Sequence, residues 1–161
     1  MTALSSEISK LCAYSGADVI TKSDIDTVVE PVLDAVVFQM TDLLGQGNCG
    51  GALLKLRQLL QMQEEPLGIL GAIGAHFRRL GVARTVHDNG RPASELVKLV
   101  GGSDYYARRN MDAAVRFSPR FYRVAMERIL ETDVGIKSSA DNPQRLLELL
   151  VMDLYREARN G

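Results

Sequence analysis

Apolar residues along this 161-residue chain recur three and four positions apart almost everywhere, the spacing that lines one face of an α-helix. Nowhere do they alternate with period two for long enough to make a strand. The pattern therefore predicts an all-α protein, a bundle of short amphipathic helices. Leu4, Ile8 and Leu11 open the first helix, and Ser15 to Asp18 form a turn after it. Thr21 is placed to N-cap a second short helix, with Asp24 three residues on in a capping-box variant. That helix carries Ile25, Val28 and Val29. It is interrupted at Glu30 and Pro31, because a proline biases the residue before it away from helix.

The next apolar face is Val32, Leu33, Val36, Val37, Met40, Leu43 and Leu44, stopped by the glycine-rich run from Gly45 to Gly51. Ala52, Leu53, Leu56, Leu59 and Leu60 make another. Glu64, Glu65 and Pro66 then place acids and a proline in the first turn of a following helix, where the macrodipole favours negative charge. Its face is Leu67, Leu70, Ile73, Phe77 and Leu80, and Gly68, Gly71 and Gly74 lie on one stripe. An interior glycine costs about 1 kcal/mol relative to alanine, so the stripe is expected to admit a neighbouring helix closely.

Asp88 to Pro92 form a loop, and Leu96, Leu99 and Val100 lie on a short helix after it. Gly101 to Asp104 turn into a helix with Tyr105, Met111 and Val115, extended as far as Phe117. Ser118 and Pro119 are an N-cap and first-turn pair. They open a helix of about 20 residues through Tyr122, Ala125, Ile129 and Val134, to about Ala140. Asp141, Asn142 and Pro143 start the last helix, with Leu146, Leu147, Leu150, Leu154 and Tyr155 on its face.

Catalytic and metal chemistry finds little to stand on. Gly45 and Gly50 have the spacing of a phosphate-binding loop, but Gly51 and Ala52 follow where Lys and Ser or Thr are required. Without them nothing reaches the phosphates or the magnesium, so the loop reads as a helix stop and a helix start. His76 has no acid or cysteine at metal-ligand spacing, and it reads as a surface or interface histidine beside Phe77, Arg78 and Arg79. His87 and Asp88 are an isolated pair. Asp133 and Lys137 stand four apart, as a helix ion pair does or as a contact to a partner. Cys12 and Cys49 form no metal motif, and without a signal peptide a reduced, cytoplasmic setting is expected. No apolar run approaches the roughly 20 residues of a membrane span. No enzyme activity, metal or cofactor is expected of the chain itself.

Charge changes this picture in one respect. Net charge is −1, but residues 76–128 carry 11 basic and 5 acidic side chains, and the remainder 8 and 15. A basic middle between acidic ends fits a nucleic-acid surface, complementary faces for subunit packing, or a mixed solvated surface. Within it, residues 94–109 read as helix, glycine turn, helix, with Arg108 and Arg109 on the second helix. That is the outline of a DNA-binding helix-turn-helix, and also of any corner in a helical bundle.

The order of landmarks resembles the delta subunit of the bacterial DNA polymerase III clamp loader. Ser6, Glu7, Lys10 and Leu11, followed by Val19, Ile20 and Thr21, are similar to the end of that family's lid domain. Phe38, Asp42 to Leu44, Gly47, Asn48, Ala52, Leu53, Leu59, Leu60, Glu65, Pro66 and Phe77 to Leu80 resemble the start of its C-terminal domain. Ser94 to Leu96 and Tyr105 follow in the family's order. The most specific stretches are Ala114 to Ser118, Ile129 to Lys137 and Leu147 to Leu150. The resemblance runs through nearly the whole chain.

It implies a helical bundle of the clamp-loader collar type over residues 31–161, preceded over residues 1–30 by two short helices from the end of the lid domain. It also implies a non-catalytic assembly role, in which the collar packs with collar domains of the gamma/tau and delta-prime subunits while DNA is reached indirectly through the complex. A whole delta subunit is about double this length and grips the sliding clamp with an N-terminal AAA+-like domain that has no counterpart here. The chain is therefore expected to be an excised C-terminal fragment, the alternative being an unusually short relative, and it is not expected to open clamps alone. Arg108, Arg109, Arg116 and Lys137 are the candidate partner contacts, and each reads equally as an ordinary solvated side chain or a member of an intrachain pair. The alternative is a small DNA-binding regulator using the unit at 94–109.

Overall fold

The computed structural model describes Lys10 and residues 32–138 and 141–161. Seven helices follow one another among them, with no strand, as the spacing predicts: α1 Val32–Gly45, α2 Cys49–Gln61, α3 Pro66–Asp88, α4 Ala93–Val100, α5 Asp104–Ala114, α6 Pro119–Lys137 and α7 Pro143–Asn160. Apart from Lys10, the helices expected at 4–11 and after Thr21, and Cys12, lie outside the described residues.

Local chemistry sets the helix ends. Ser118 accepts from the Phe121 amide, Asn142 from that of Gln144, Ser103 from that of Tyr106 and Asn48 from that of Gly51. Each cap satisfies an amide that the first turn leaves without a partner. Pro66, Pro119 and Pro143 occupy first-turn positions where no N–H is needed. Glu65 is the N-cap residue of α3, so Glu64 and Glu65 precede that helix and do not fill its first turn as the sequence implied.

Helices α1, α2 and α3 all close in the same way. The residue after the cap turns left-handed, its amide donates back three residues, and the next amide donates back five. The pairs are Gly47 to Leu44 and Asn48 to Leu43, then Gln63 to Leu60 and Glu64 to Leu59, then Gly90 to His87 and Arg91 to Val86. Gly47 makes the Gly45–Gly51 run a helix stop. Gln63, with φ of 61°, does the same work without glycine's freedom.

Helix α3 is the hub, packed against α1, α4, α5, α6 and α7, while α2 lies on α1 and α7, and α6 pairs with α7. Phe77 sits at the centre of the buried cluster. Its ring meets Phe117 at 6.0 Å and Phe121 at 5.5 Å, both edge-on, and those two stack on each other at 4.4 Å. Around them lie Val37, Met40, Leu44, Leu56, Leu59, Ile73, Leu80, Leu96, Leu147 and Leu150. Each such side chain contributes about 1.5–3 kcal/mol by leaving water.

Several expectations about which side faces inward are corrected. Phe117 is buried but belongs to the α5–α6 connection, after α5 has ended. Leu67, Leu99, Tyr105, Val115 and Val134 are exposed. Of the glycine stripe on α3, only Gly74 meets a neighbour, the Ile129 methyl at 3.5 Å from where a Cβ would stand. Among the described residues, Gly68 faces Glu65 of its own chain turn, and nothing outside the helix's own backbone comes within 4 Å of a Gly71 Cβ. Of the two places read for His76, surface or interface, the surface one is corrected: the ring is buried between helices.

Candidate partner interface

Some charged side chains tie the bundle together, others pair over one turn of chain at the surface, and others face outward with no ion pair among the described residues. Arg84 on α3 reaches the Phe117 carbonyl through Nη1 at 2.6 Å and grips Asp88 through Nε at 2.8 Å. Its hydrogen bond holds the exposed Asp88 carboxyl below the usual carboxylate range. Beside it the Tyr122 hydroxyl donates to the Ala114 carbonyl at 2.7 Å, and burial raises the phenol's pKa. Arg79 donates to the Tyr106 hydroxyl at 2.8 Å. Polar atoms thereby close the α5–α6 connection over the aromatic cluster, where the free carbonyls would otherwise be stranded.

The expected contact residues fall on different parts of this scaffold. Arg116 pairs with Asp42 of α1 and packs its stem against Gly45. Arg109 lies over the Phe38 ring, 3.7 Å from its centre, a cation–π contact joining α5 to α1. Lys137 pairs with Asp133 at 2.8 Å, one turn away, as the spacing indicated. Arg108 is exposed, and no ion pair ties it to an acid among the described residues. The structure therefore does not gather the four into one cluster.

His76 is the centre of a buried polar link. Thr41 Oγ1 donates to the Phe38 carbonyl at 3.0 Å, which uses its one hydrogen, so the imidazole Nε2–H donates to Thr41 across 2.8 Å. The ring also lies 5.2 Å from Phe38, edge-on. Burial first, then the positive charges of Arg79 and Arg109, push its pKa down to about 3. The imidazole is neutral at physiological pH and serves packing between α1 and α3.

Sequence reasoning missed the outward apolar residues. Leu130 is 64% exposed and Val134 59%, on α6; Leu149 and Met152 are exposed on α7 and Leu67 on α3. Periodicity places Leu67 and Val134 on the inward faces and leaves Leu130, Leu149 and Met152 off them without marking them as an outward surface. The 94–109 unit forms the expected two helices with a turn at Gly101 and Gly102, both of positive φ. Its second helix exposes Asp104, Tyr105, Arg108 and Asp112 together. Two carboxylates on that face offset its arginine, the opposite of what a phosphate backbone attracts.

Among the described residues no group of His, Cys, Asp and Glu is arranged to hold a metal, and no helix is long and apolar enough to cross a membrane. A solvent-open hollow of about 180 Å³ by Ser118, Phe121 and Glu157 is below the size of ordinary small-molecule sites.

A helical bundle with well-tied connections and apolar residues on its outer helices is the class of protein these features define. The DNA polymerase III delta subunit, C-terminal domain family matches residues 34–154, and the chain belongs to that family. It is 24% identical over 157 residues to DNA polymerase III subunit delta of Bacillus subtilis (strain 168), covering 97% of this chain and 45% of that protein. The solved structure of the Bacillus subtilis DNA clamp loader delta protein has the same fold. Its TM-score is 0.75 at 24% identity, over 97% of this chain and 46% of that one. The chain thus spans less than half the length of either relative.

Proposed function

We propose that this chain is a non-catalytic assembly module of the bacterial DNA polymerase III clamp loader. Residues 31–161 act as its collar domain and residues 1–30 as the end of a lid domain. The collar packs against the collar domains of the gamma/tau and delta-prime subunits, and the assembled complex, not this chain alone, loads the sliding clamp on DNA. The observation that carries this reading is the family match from residue 34 to residue 154, which takes in most of the seven-helix bundle. Arg108, Arg109, Arg116 and Lys137 are proposed contacts, of which Arg108, Arg116 and Lys137 are exposed and Arg109 half-buried.

Physically, such a role asks for helices that hold their shape while presenting outward faces. The linked α1, α3 and α5–α6 connection supplies stiffness, and α6 supplies an outer apolar stripe. Analytical gel filtration of the chain, alone and mixed with the gamma/tau and delta-prime collar domains of the same bacterium, tests the reading. A discrete larger species on mixing is expected. Independent elution of well-folded components would overturn it.

A further inference from the structure

Two contacts fix how α3 and α6 lie together. Gly74 faces Ile129 at 3.5 Å, and Gly81 faces the Tyr122 ring at 3.7 Å. The contacts are seven residues apart on both helices and run in opposite order, so the helices are antiparallel and in register over two turns. Beside this seam each helix turns an exposed stripe outward: Leu67, Gly71 and Arg78 on α3, and Arg123, Leu130 and Val134 on α6. In the antiparallel register Leu67, Gly71, Leu130 and Val134 fall at one end of the seam. Arg78 and Arg123 fall together toward the other.

The two ends differ in chemistry. The first is apolar, and among the described residues nothing outside the helix's own backbone comes within 4 Å of the position a Gly71 Cβ would take. The second is basic, and neither arginine forms an ion pair with an acid among the described residues; Glu127 is the acid on the same side of α6. Exposed apolar side chains next to unpaired like charges are complementary to a surface of apolar residues ending in carboxylates.

We propose that the outer face of the α3–α6 pair is a docking surface for an amphipathic helix of a neighbouring clamp-loader subunit. The helix lays its apolar residues on Leu67, Leu130 and Val134, and its acidic end meets Arg78 and Arg123. The proposal rests on the assembly reading above and names the face and the partner's chemistry. Gly71 lies under the helix, where any larger side chain would lift it off.

The test is isothermal titration of the full chain with each of the other clamp-loader subunits of the same bacterium in turn. Variants are R78E/R123E and G71L, with thermal melting of each chain alone. The expected result is at least tenfold weaker binding for both variants, a salt dependence that the double variant loses, and no fall in the melting temperature of G71L. Wild-type binding with both variants unchanged would overturn this face and leave the assembly reading standing. No binding by the wild-type chain would overturn both. A lower melting temperature for G71L would mean that the chain itself fills the space, and self-association of the wild type lost in Leu130→Asp would make the occupant a second copy; either result would overturn the proposed partner helix.

Discussion

The two sides of helix α3 have opposite physics. Its inner side presents Ile73, His76, Phe77 and Leu80, buried and touching most of the bundle. Its outer side presents Leu67, Gly71 and Arg78, and among the described residues nothing outside the helix's own backbone comes within 4 Å of a Gly71 Cβ. A basic residue near the inner side becomes part of the scaffold: Arg79 binds Tyr106, and Arg84 binds the Phe117 carbonyl and Asp88. On the outer side Arg78 has no such acceptor among the described residues. One helix thus carries both the part of the molecule that sets its shape and a part left available to something else.

The largest effect expected from breaking this contrast is on the inner side. Phe77→Ala removes the ring that joins Phe117 and Phe121, and by cavity formation should lower stability by about 3–5 kcal/mol, read from urea denaturation. The same substitution in spirit on the outer side, Leu130→Ser, should change stability by less than about 0.5 kcal/mol. Near-equal losses at the two positions would erase the distinction.

Acid titration comes next. His76 has its pKa depressed to about 3 in the fold, against an ordinary 6.5 when unfolded. The unfolded chain binds the proton first. The stability from keeping this ring neutral is therefore complete above pH 6.5 and is lost as pH falls toward 3, at up to about 1.4 kcal/mol per pH unit. Denaturation midpoints measured between pH 7 and 4.5 should show this slope, and His76→Gln should flatten it. A wild-type profile unchanged by that substitution would remove His76 as the cause.

Smaller effects sit at helix ends. Ser118→Ala should lower stability by about 1 kcal/mol by uncapping α6 at the Phe121 amide. Gln63 holds a left-handed conformation that costs a side-chain-bearing residue about 1 kcal/mol, so Gln63→Gly should raise the melting temperature modestly. Gly71→Ala should also stabilise, by up to about 1 kcal/mol, because it adds helix propensity where no described residue is in the way.

Helix boundaries were legible in the chain because they depend on neighbouring residues. Ser118 with Pro119, Asn142 with Pro143, and the glycine run after Leu44 carry their own hydrogen-bonding logic, as does the Asp133–Lys137 pair. Facing was less legible. Helix α3 has apolar or small residues around much of its circumference, so Leu67 looks no different from Leu70 until the partners of each are seen. Val134 and Tyr105 fail in the same way. His76 reads from its neighbours Phe77, Arg78 and Arg79 as a surface or interface histidine, because the partner that lets it be buried, Thr41, stands thirty-five positions away. The family resemblance was legible because the order of landmarks survives where no one residue decides.

Hydrogen exchange of the chain with and without the other clamp-loader subunits tests the central claim most directly. Added protection is predicted over the outer α3 and α6 segments, with the segments around Phe77 and Phe117 already slow and unchanged. Identical exchange at every amide in the two samples would contradict an assembly role for this bundle.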